Sequence, residues 1–163
     1  MKSLVLYSSQ SGNTQKLAKT IYDALPGDKK ISPVDEAPPS LADFDFIAVG
    51  FWFQGGKPDA KSSRLLPQLG KKKTFLFATH GAAKGSTHAQ QGMNAAKELA
   101  AGATVIGTFS CQGEVSSKVL DAAAAKQEPP PWLSDAPGAK GHPDQSDLNE
   151  LRQLIADTVT PEV

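Results

Sequence analysis

The chain has 163 residues, a length typical of one domain, and its 17 basic and 17 acidic side chains give a formal net charge of zero. A neutral chain lacks the basic footprint of nucleic-acid-binding proteins, so we expect no nucleic-acid partner. A single cysteine, Cys111, excludes an intrachain disulfide and favours a reducing compartment. No apolar run approaches the roughly 20 residues of a membrane span or forms a signal-peptide core, so the sequence predicts a cytoplasmic protein without a membrane partner.

Short apolar runs alternate with segments of helical periodicity along the chain. In chain order, the sequence predicts a strand at residues 4–7, a helix at 14–25, strands at 30–34 and 46–51, a short helix at 61–69, a strand at 75–79, a helix at 86–101, a strand at 103–111 and helices at 116–125 and 146–159. Strands buried on both faces are continuously apolar, and parallel strands are joined by helical crossovers. The alternation therefore indicates an α/β fold with a doubly wound five-stranded parallel sheet and helices on both faces.

The proline-rich residues 127–144 interrupt this alternation. Only one predicted helix follows this segment, which is too little chain to form a second domain, so the segment is not a linker between domains. We expect a loop or excursion here, within a single domain that covers residues 1–163.

Small polar residues fill the loop at residues 8–14 (SSQSGNT), between the first strand and the first helix. The loop offers neutral donors and one flexible backbone position: Ser9, Ser11, Asn13, Thr14 and Gly12. The N–H groups and dipole of a helix N-terminus attract anions, and this loop contains no Lys or Arg. The pattern predicts a phosphate that is held without positive charge, whereas an ordinary helix cap needs only one such residue.

Two further loops follow strands at the same edge of the predicted sheet, where ligands of open α/β sheets bind. Residues 51–58 place three aromatic residues before a glycine pair, and exposed aromatics at a strand end stack flat ligands or dock partners. Phe51 and Phe53 can equally belong to the core. Residues 79–86 (THGAAKGS) can offer backbone groups to a ring, and His80 is either a proton-linked group beside that ring or an ordinary loop residue.

Other phosphate-binding folds do not match these spacings. The glycine pattern of a dinucleotide fold and the Gly-Lys pattern of an NTPase P-loop are both absent from the sequence. A phosphoryl-accepting receiver would need carboxylates after the first and third strands, and a cysteine phosphatase would need a thiol in the first loop. The sequence provides neither, and it predicts no metal site.

The first loop resembles the phosphate loop of the flavodoxin-like family, S/T-x-S/T-G-x-T. The matching residues are Ser9, Gln10, Ser11, Gly12, Asn13 and Thr14. The resemblance covers residues 2–112, and it implies the strand order 2-1-3-4-5 and the cofactor FMN, with its 5′-phosphate on this loop. It also implies that two loops flank the isoalloxazine, with Trp52 as the stacking ring. Those loops contribute Phe51, Trp52, Phe53, Gln54, Gly55 and Gly56 on one side and Thr79, His80, Gly81 and Gly85 at the pyrimidine end.

The resemblance implies an FMN-binding electron-transfer protein that works with a redox partner protein and needs no catalytic side chain. Electron-carrier flavodoxins are usually acidic and bring an aromatic residue to the flavin from the third loop, and this chain departs from both features. It looks more like flavodoxin-like proteins that serve a specific reductase (one related group accompanies bilirubin reduction). The alternatives are an FMN-dependent reductase of quinones or another small acceptor, and a flavin-free interaction module, which the intact phosphate loop disfavours.

Overall fold

A parallel β-sheet is the centre of the computed structural model, which describes residues 1–159. Its strands are β1 (Lys2–Tyr7), β2 (Asp28–Pro33), β3 (Phe46–Gln54), β5 (Lys73–His80) and β6 (Thr104–Gln112), and the short β4 (Lys57–Pro58) pairs antiparallel with β3. The strand order is β2-β1-β3-β5-β6, with parallel pairing throughout this path. Counted among the parallel strands alone, this is the order 2-1-3-4-5, so the predicted fold is confirmed.

Helices cover both faces of the sheet, as predicted. They are α1 (Asn13–Ala24), α2 (Ala60–Leu65), α3 (Thr87–Leu99), α4 (Ser117–Ala124) and α5 (Gln145–Thr158). In β1, Leu4 and Leu6 enter the core shared with α2 and α3, whereas Val5 enters the core shared with α1 and α5. Successive side chains of a strand point to opposite faces, which explains why this strand is apolar throughout.

The segment predicted as a loop after the third strand is instead a β-hairpin. β3 continues past Phe51 to Gln54, which pairs with Lys57 of β4. Gly55 and Gly56 form the turn with φ values of 61° and 77°. A two-residue turn with positive φ at both positions matches the twist of the flanking strands, and it is the turn that a glycine pair favours. The hairpin extends the sheet edge beyond the other strand ends.

The proline-rich segment contains a 3₁₀ stretch at Leu133–Ala139, against which α4 packs. Ala123 is the one buried residue of α4. After this segment, α5 begins with a capping box, in which Asp144 and Asp147 each accept the other's backbone N–H. His142 Nδ1 lies 2.6 Å from the same Asp147 carboxylate, so the histidine joins the two aspartates that cap α5. Within residues 1–159, the longest apolar stretches fall short of what a membrane-spanning helix requires.

Candidate functional site

A cavity of about 1160 Å³ opens at the carboxyl ends of β1, β3, β5 and β6. This is the edge at which parallel strands present their loops, and β1 and β3 lie at the point where the strand order reverses. The cavity brings together parts of all three predicted loops. Of the predicted residues, those that line it are Gln10, Ser11, Asn13, Thr14, Trp52, Phe53, Gln54, Gly55, Gly56, Thr79, His80 and Gly81.

The first loop leaves the N-terminus of α1 open towards the cavity. Gly12 occupies the N-cap position with φ 92°, and no side chain caps the helix there. Ser9 lies outside the cavity lining and instead accepts the Gly12 N–H at 3.1 Å, which fixes the shape of the loop. The exposed Ser11 makes no side-chain hydrogen bond within the described part of the chain. This end of the helix therefore presents donors that an anion can use.

Thr14 and Asn13 have partners inside the protein. The buried Thr14 hydroxyl lies 3.0 Å from the Thr79 hydroxyl and 3.4 Å from the Phe51 carbonyl, so it ties α1 to the ends of β3 and β5. The Asn13 amide donates to the Glu114 carbonyl at 3.0 Å. Both side chains line the cavity, but their first role in this structure is to join the loops that surround it.

The end of β3 divides the predicted aromatic residues between core and cavity. Phe51 is 0% exposed, belongs to the core and does not line the cavity, which agrees with the core alternative for this residue. The Phe53 ring contacts those of His80 and His88, at centroid distances of 5.0 and 5.9 Å. Trp52 is half-buried in the cavity wall, and the nearby Asp59 holds its backbone by accepting its N–H at 3.4 Å and donating to its carbonyl at 3.0 Å.

Gly92 of α3 explains how Phe53 fits. A Cβ at this position would overlap the Phe53 ring, so a glycine is required for close packing between helix and hairpin. Sequence reasoning did not single out Gly92, because a lone glycine in an alanine-rich helix carries no distinctive pattern. Gly85, which was predicted as a site residue, lies outside the cavity lining and forms the turn before α3 with φ 75°.

His80 is a fixed neutral group at physiological pH. It is 5% exposed, and its Nδ1 lies 2.9 Å from the Ala82 carbonyl, which can only accept, so Nδ1 carries the hydrogen. Burial lowers the pKa of His80 from 6.5 to about 4, against the raising effect of that hydrogen bond, and the charges of His88 and Lys84 add to the lowering. The prediction of a proton-linked His80 is therefore not supported, because the imidazole stays uncharged at neutral pH.

The proline-rich segment returns to the third loop and completes the cavity wall. Pro130, Pro131 and Trp132 line the cavity, and the Trp132 ring lies so close to Gly81 that a Cβ there would be 2.9 Å from Trp132 Cε3. Residues from α4 and the loop before it add an apolar wall that includes Val115 and Val119. Sequence reasoning placed the proline-rich segment beside a substrate pocket only for the reductase alternative, and it did not single out Trp132. A tryptophan next to three consecutive prolines was the available signal.

Basic side chains outnumber acidic ones around the cavity. Among the described lining residues are Lys57, Lys118 and Lys126, against the single carboxylate of Glu114. None of the three lysines belongs to the first loop. The cavity therefore suits an anionic ligand, with neutral donors at the N-terminus of α1 and cationic groups elsewhere on its rim.

Comparisons with known proteins agree with this geometry. The profile of the flavodoxin domain matches residues 4–156. The flavodoxin-like domain-containing protein BilS of Clostridioides difficile (strain CD3) is 32% identical over 161 residues, which cover 92% of each chain. Two solved structures share the fold. The flavodoxin of Streptococcus pneumoniae TIGR4 aligns over 100% of both chains with 14% identity and a TM-score of 0.66. A flavoprotein from Lactobacillus acidophilus NCFM in complex with FMN aligns with 67% of this chain and 92% of its own, with 21% identity and a TM-score of 0.56.

Proposed function

The chain belongs to the flavodoxin domain family, and on this premise we propose that it binds FMN in the described cavity and exchanges electrons with a dedicated redox partner, a reductase or an acceptor enzyme. The bound flavin supplies the redox chemistry, while the protein binds it, orients it and sets its electrostatic surroundings. This assignment makes the protein an electron-transfer component of an oxidoreductase system, working in the cytoplasm.

The open N-terminus of α1 is the observation that carries this proposal. Helices α2, α3, α4 and α5 are each capped by a side chain, from Asp59, Ser86, Ser116 and Asp144. At α1 the cap residue is Gly12, which has no side chain, and Ser11 beside it is exposed and unpaired within residues 1–159. A terminal phosphate fits this donor set, and the half-buried Trp52 in the same cavity suits a flat ring.

Comparing FMN with riboflavin tests the phosphate assignment. Riboflavin lacks the phosphate, so the wild-type protein should bind FMN more tightly. Ser11→Ala should weaken FMN binding by about 1–3 kcal/mol, because a phosphate oxygen loses its donor, and should leave riboflavin binding unchanged. Titration of each flavin, followed by fluorescence, measures both affinities. Equal affinities of the wild-type protein for the two flavins would refute the proposal.

The neutral charge supports a dedicated partner. Carriers that attract many partners over long distances need a strong field of one sign, and this chain has 17 basic and 17 acidic residues. The cavity rim has only a small excess of basic side chains, from Lys57, Lys118 and Lys126 against Glu114, so its contacts with a partner would be mainly short-ranged and apolar, and moderate salt does not screen apolar contacts. Stopped-flow electron transfer from the partner reductase should therefore change little across a salt series. A decrease of about tenfold or more up to physiological ionic strength would indicate electrostatic steering instead.

The size of the cavity favours one second candidate, an FMN-dependent reductase of quinones or another small acceptor. Pockets for one drug-sized ligand occupy about 300–1,000 Å³. This cavity measures about 1160 Å³ and extends from the first loop to α4. Oxidation of NAD(P)H by FMN-loaded protein, with a quinone and without any partner, distinguishes the two. Turnover would support the reductase, whereas turnover only with an added reductase would support the carrier.

A further inference from the structure

We propose that the proline-rich segment is a built part of the ligand site, in which Trp132 stacks on the bound ring and is positioned by Asp135 and Gln112. This inference rests on the proposed binding of FMN. It gives a role to a segment that the phosphate loop and the two flanking loops leave unexplained.

Trp132 lies at the correct end of the sheet. Its ring covers Gly81, the residue that follows β5, and no side chain larger than hydrogen fits beneath it. Val115, from the loop after β6, is the other side chain close to Gly81. Trp132 also lines the cavity while only partly buried, so part of the indole remains available to a ligand. The third loop, residues 79–86, contains no Phe, Trp or Tyr. The Trp132 indole, from the proline-rich segment, lies against this loop at Gly81.

The sheet register places Trp52 near Gly81, the residue that the Trp132 ring covers. Trp52 of β3 pairs with Thr79 of β5, and Gly81 lies two residues beyond Thr79. Neighbouring strands are about 5 Å apart and each residue advances about 3.3 Å, so the backbone positions beneath the two indoles differ by roughly 8 Å. Both indoles line the same cavity. One bound ring can therefore meet an indole from the hairpin and an indole from the proline-rich segment within the same cavity.

Two side chains fasten the segment to the third loop. Asp135 Oδ2 accepts the Ala83 N–H at 2.9 Å. The Gln112 amide donates to the Gly81 carbonyl at 3.3 Å and to the Asp135 carbonyl at 3.1 Å, so it joins β6, the third loop and the segment. These contacts connect the backbone on both sides of the Trp132 ring. Asp135 and Gln112 are therefore positioning residues, which act through Trp132 and the third loop.

The affinity test uses the full chain and two substitutions at Trp132. Trp132→Leu keeps apolar bulk but removes the aromatic face, and it should weaken FMN binding about three- to tenfold. Trp132→Phe keeps a stacking ring and should restore affinity to within about twofold of the wild-type value. At Asp135, Ala should weaken binding while Asn, which retains an acceptor oxygen, should restore it. Asp121→Asn removes an exposed carboxylate of α4 outside the cavity lining and serves as the control.

A spectroscopic test separates stacking from mere packing. The chain has two tryptophans, so Trp52→Phe leaves Trp132 as the only indole. An indole in contact with a flavin quenches its emission by electron transfer, so bound FMN should stay dim in this variant. It should become brighter in the Trp52→Phe, Trp132→Phe double variant.

The outcomes distinguish the inference from the proposed function. If the wild-type protein fails to bind FMN, the proposed function is wrong. If the wild-type protein binds FMN but Trp132→Leu binds it equally well, and the second Phe substitution leaves the flavin emission unchanged, then Trp132 does not contact the ring. In that case the inference is overturned while FMN binding stands. The emission test remains decisive even if the Leu variant fails to fold.

Discussion

Replacing His80 by Asn should remove a specific part of the pH dependence of stability. His80 has a pKa lowered from 6.5 to about 4, chiefly by burial. A histidine whose pKa falls on folding binds its proton more readily in the unfolded chain. The contribution of neutral His80 to the free energy of unfolding is therefore fully present above the unfolded-state pKa of 6.5. It is lost as the pH falls from 6.5 towards the folded-state pKa of about 4. With these two pKa values, the loss amounts to about 2 kcal/mol at about pH 5 and approaches roughly 3 kcal/mol at lower pH.

Asn is the informative substitution because its amide can donate to the Ala82 carbonyl that accepts from His80 Nδ1. Urea denaturation at about pH 7 and about pH 5 gives the free energy of unfolding for each protein. The difference between the two pH values should be about 2 kcal/mol smaller in His80→Asn than in the wild-type protein. His88→Asn removes an imidazole beside the same Phe53 ring, so it shows whether the change is specific to position 80.

Parallel stability curves for wild-type protein and His80→Asn between these pH values would refute this reasoning. Such a result would mean that the imidazole is solvated when protonated, through local opening of the third loop, and that burial does not hold it neutral. Carboxylates also titrate near the acidic end of this range, but they are common to both proteins and cancel in the comparison.

Three further predictions concern the buried cysteine, the packing of α3 against Phe53 and the turn of the hairpin. Cys111 is 0% exposed and burial raises its pKa to about 12, so a thiol reagent should label it only after denaturation; rapid labelling of native protein would contradict this. Gly92→Ala should destabilise the fold by about 1–3 kcal/mol and weaken flavin binding, because the new methyl group displaces the Phe53 ring; chemical denaturation and flavin titration measure the two effects. Gly55→Ala should lower the free energy of unfolding by about 1–2 kcal/mol through its positive φ alone, because no atom lies within 4 Å of the new Cβ. Gly102→Ala, at a glycine without positive φ, should cost less, and equal costs in denaturation curves would argue against backbone strain.

The fold was predictable because its signals are local. The continuous apolar run of β1 requires burial on both faces, and each following crossover shows helical periodicity, so the strand order follows from a few topological rules. The third strand was predicted too short because a glycine pair was interpreted as a loop. A glycine pair after an aromatic run also favours a two-residue hairpin turn, and the structure contains that turn.

The candidate site was predictable only where one loop contains the whole pattern. The first loop carries its donors in consecutive positions, so the cavity-lining residues Gln10, Ser11, Asn13 and Thr14 could be assigned to this edge of the sheet without a structure. Trp132 reaches the cavity from more than 50 residues beyond Gly81, through contacts of Asp135 and Gln112 that no spacing rule describes. For Phe51 the sequence left a core position and a ligand contact both open, because a strand alternates its faces. Its place in the core depends on the register with β5, which aromatic composition cannot reveal.

The neutral and the charged groups around the cavity lie in different places. A ligand such as FMN would have its phosphate bound by the neutral donors and its ring near the charged groups. A phosphate carries its charge permanently, and the neutral donors at α1 can bind it without a nearby cation whose field would also act on the rest of the ligand. Lys57 belongs to the Trp52 hairpin, and Lys118 and Lys126 lie on or just after α4. A cation about 10 Å away in water stabilises one added negative charge by about 0.4 kcal/mol, and less at high salt. If FMN binds as proposed, these lysines, opposed by Glu114 alone among the described lining residues, would favour electron gain by its ring. An acidic rim would oppose that gain, so the neutral overall charge of this chain is combined with a cavity rim that is locally basic.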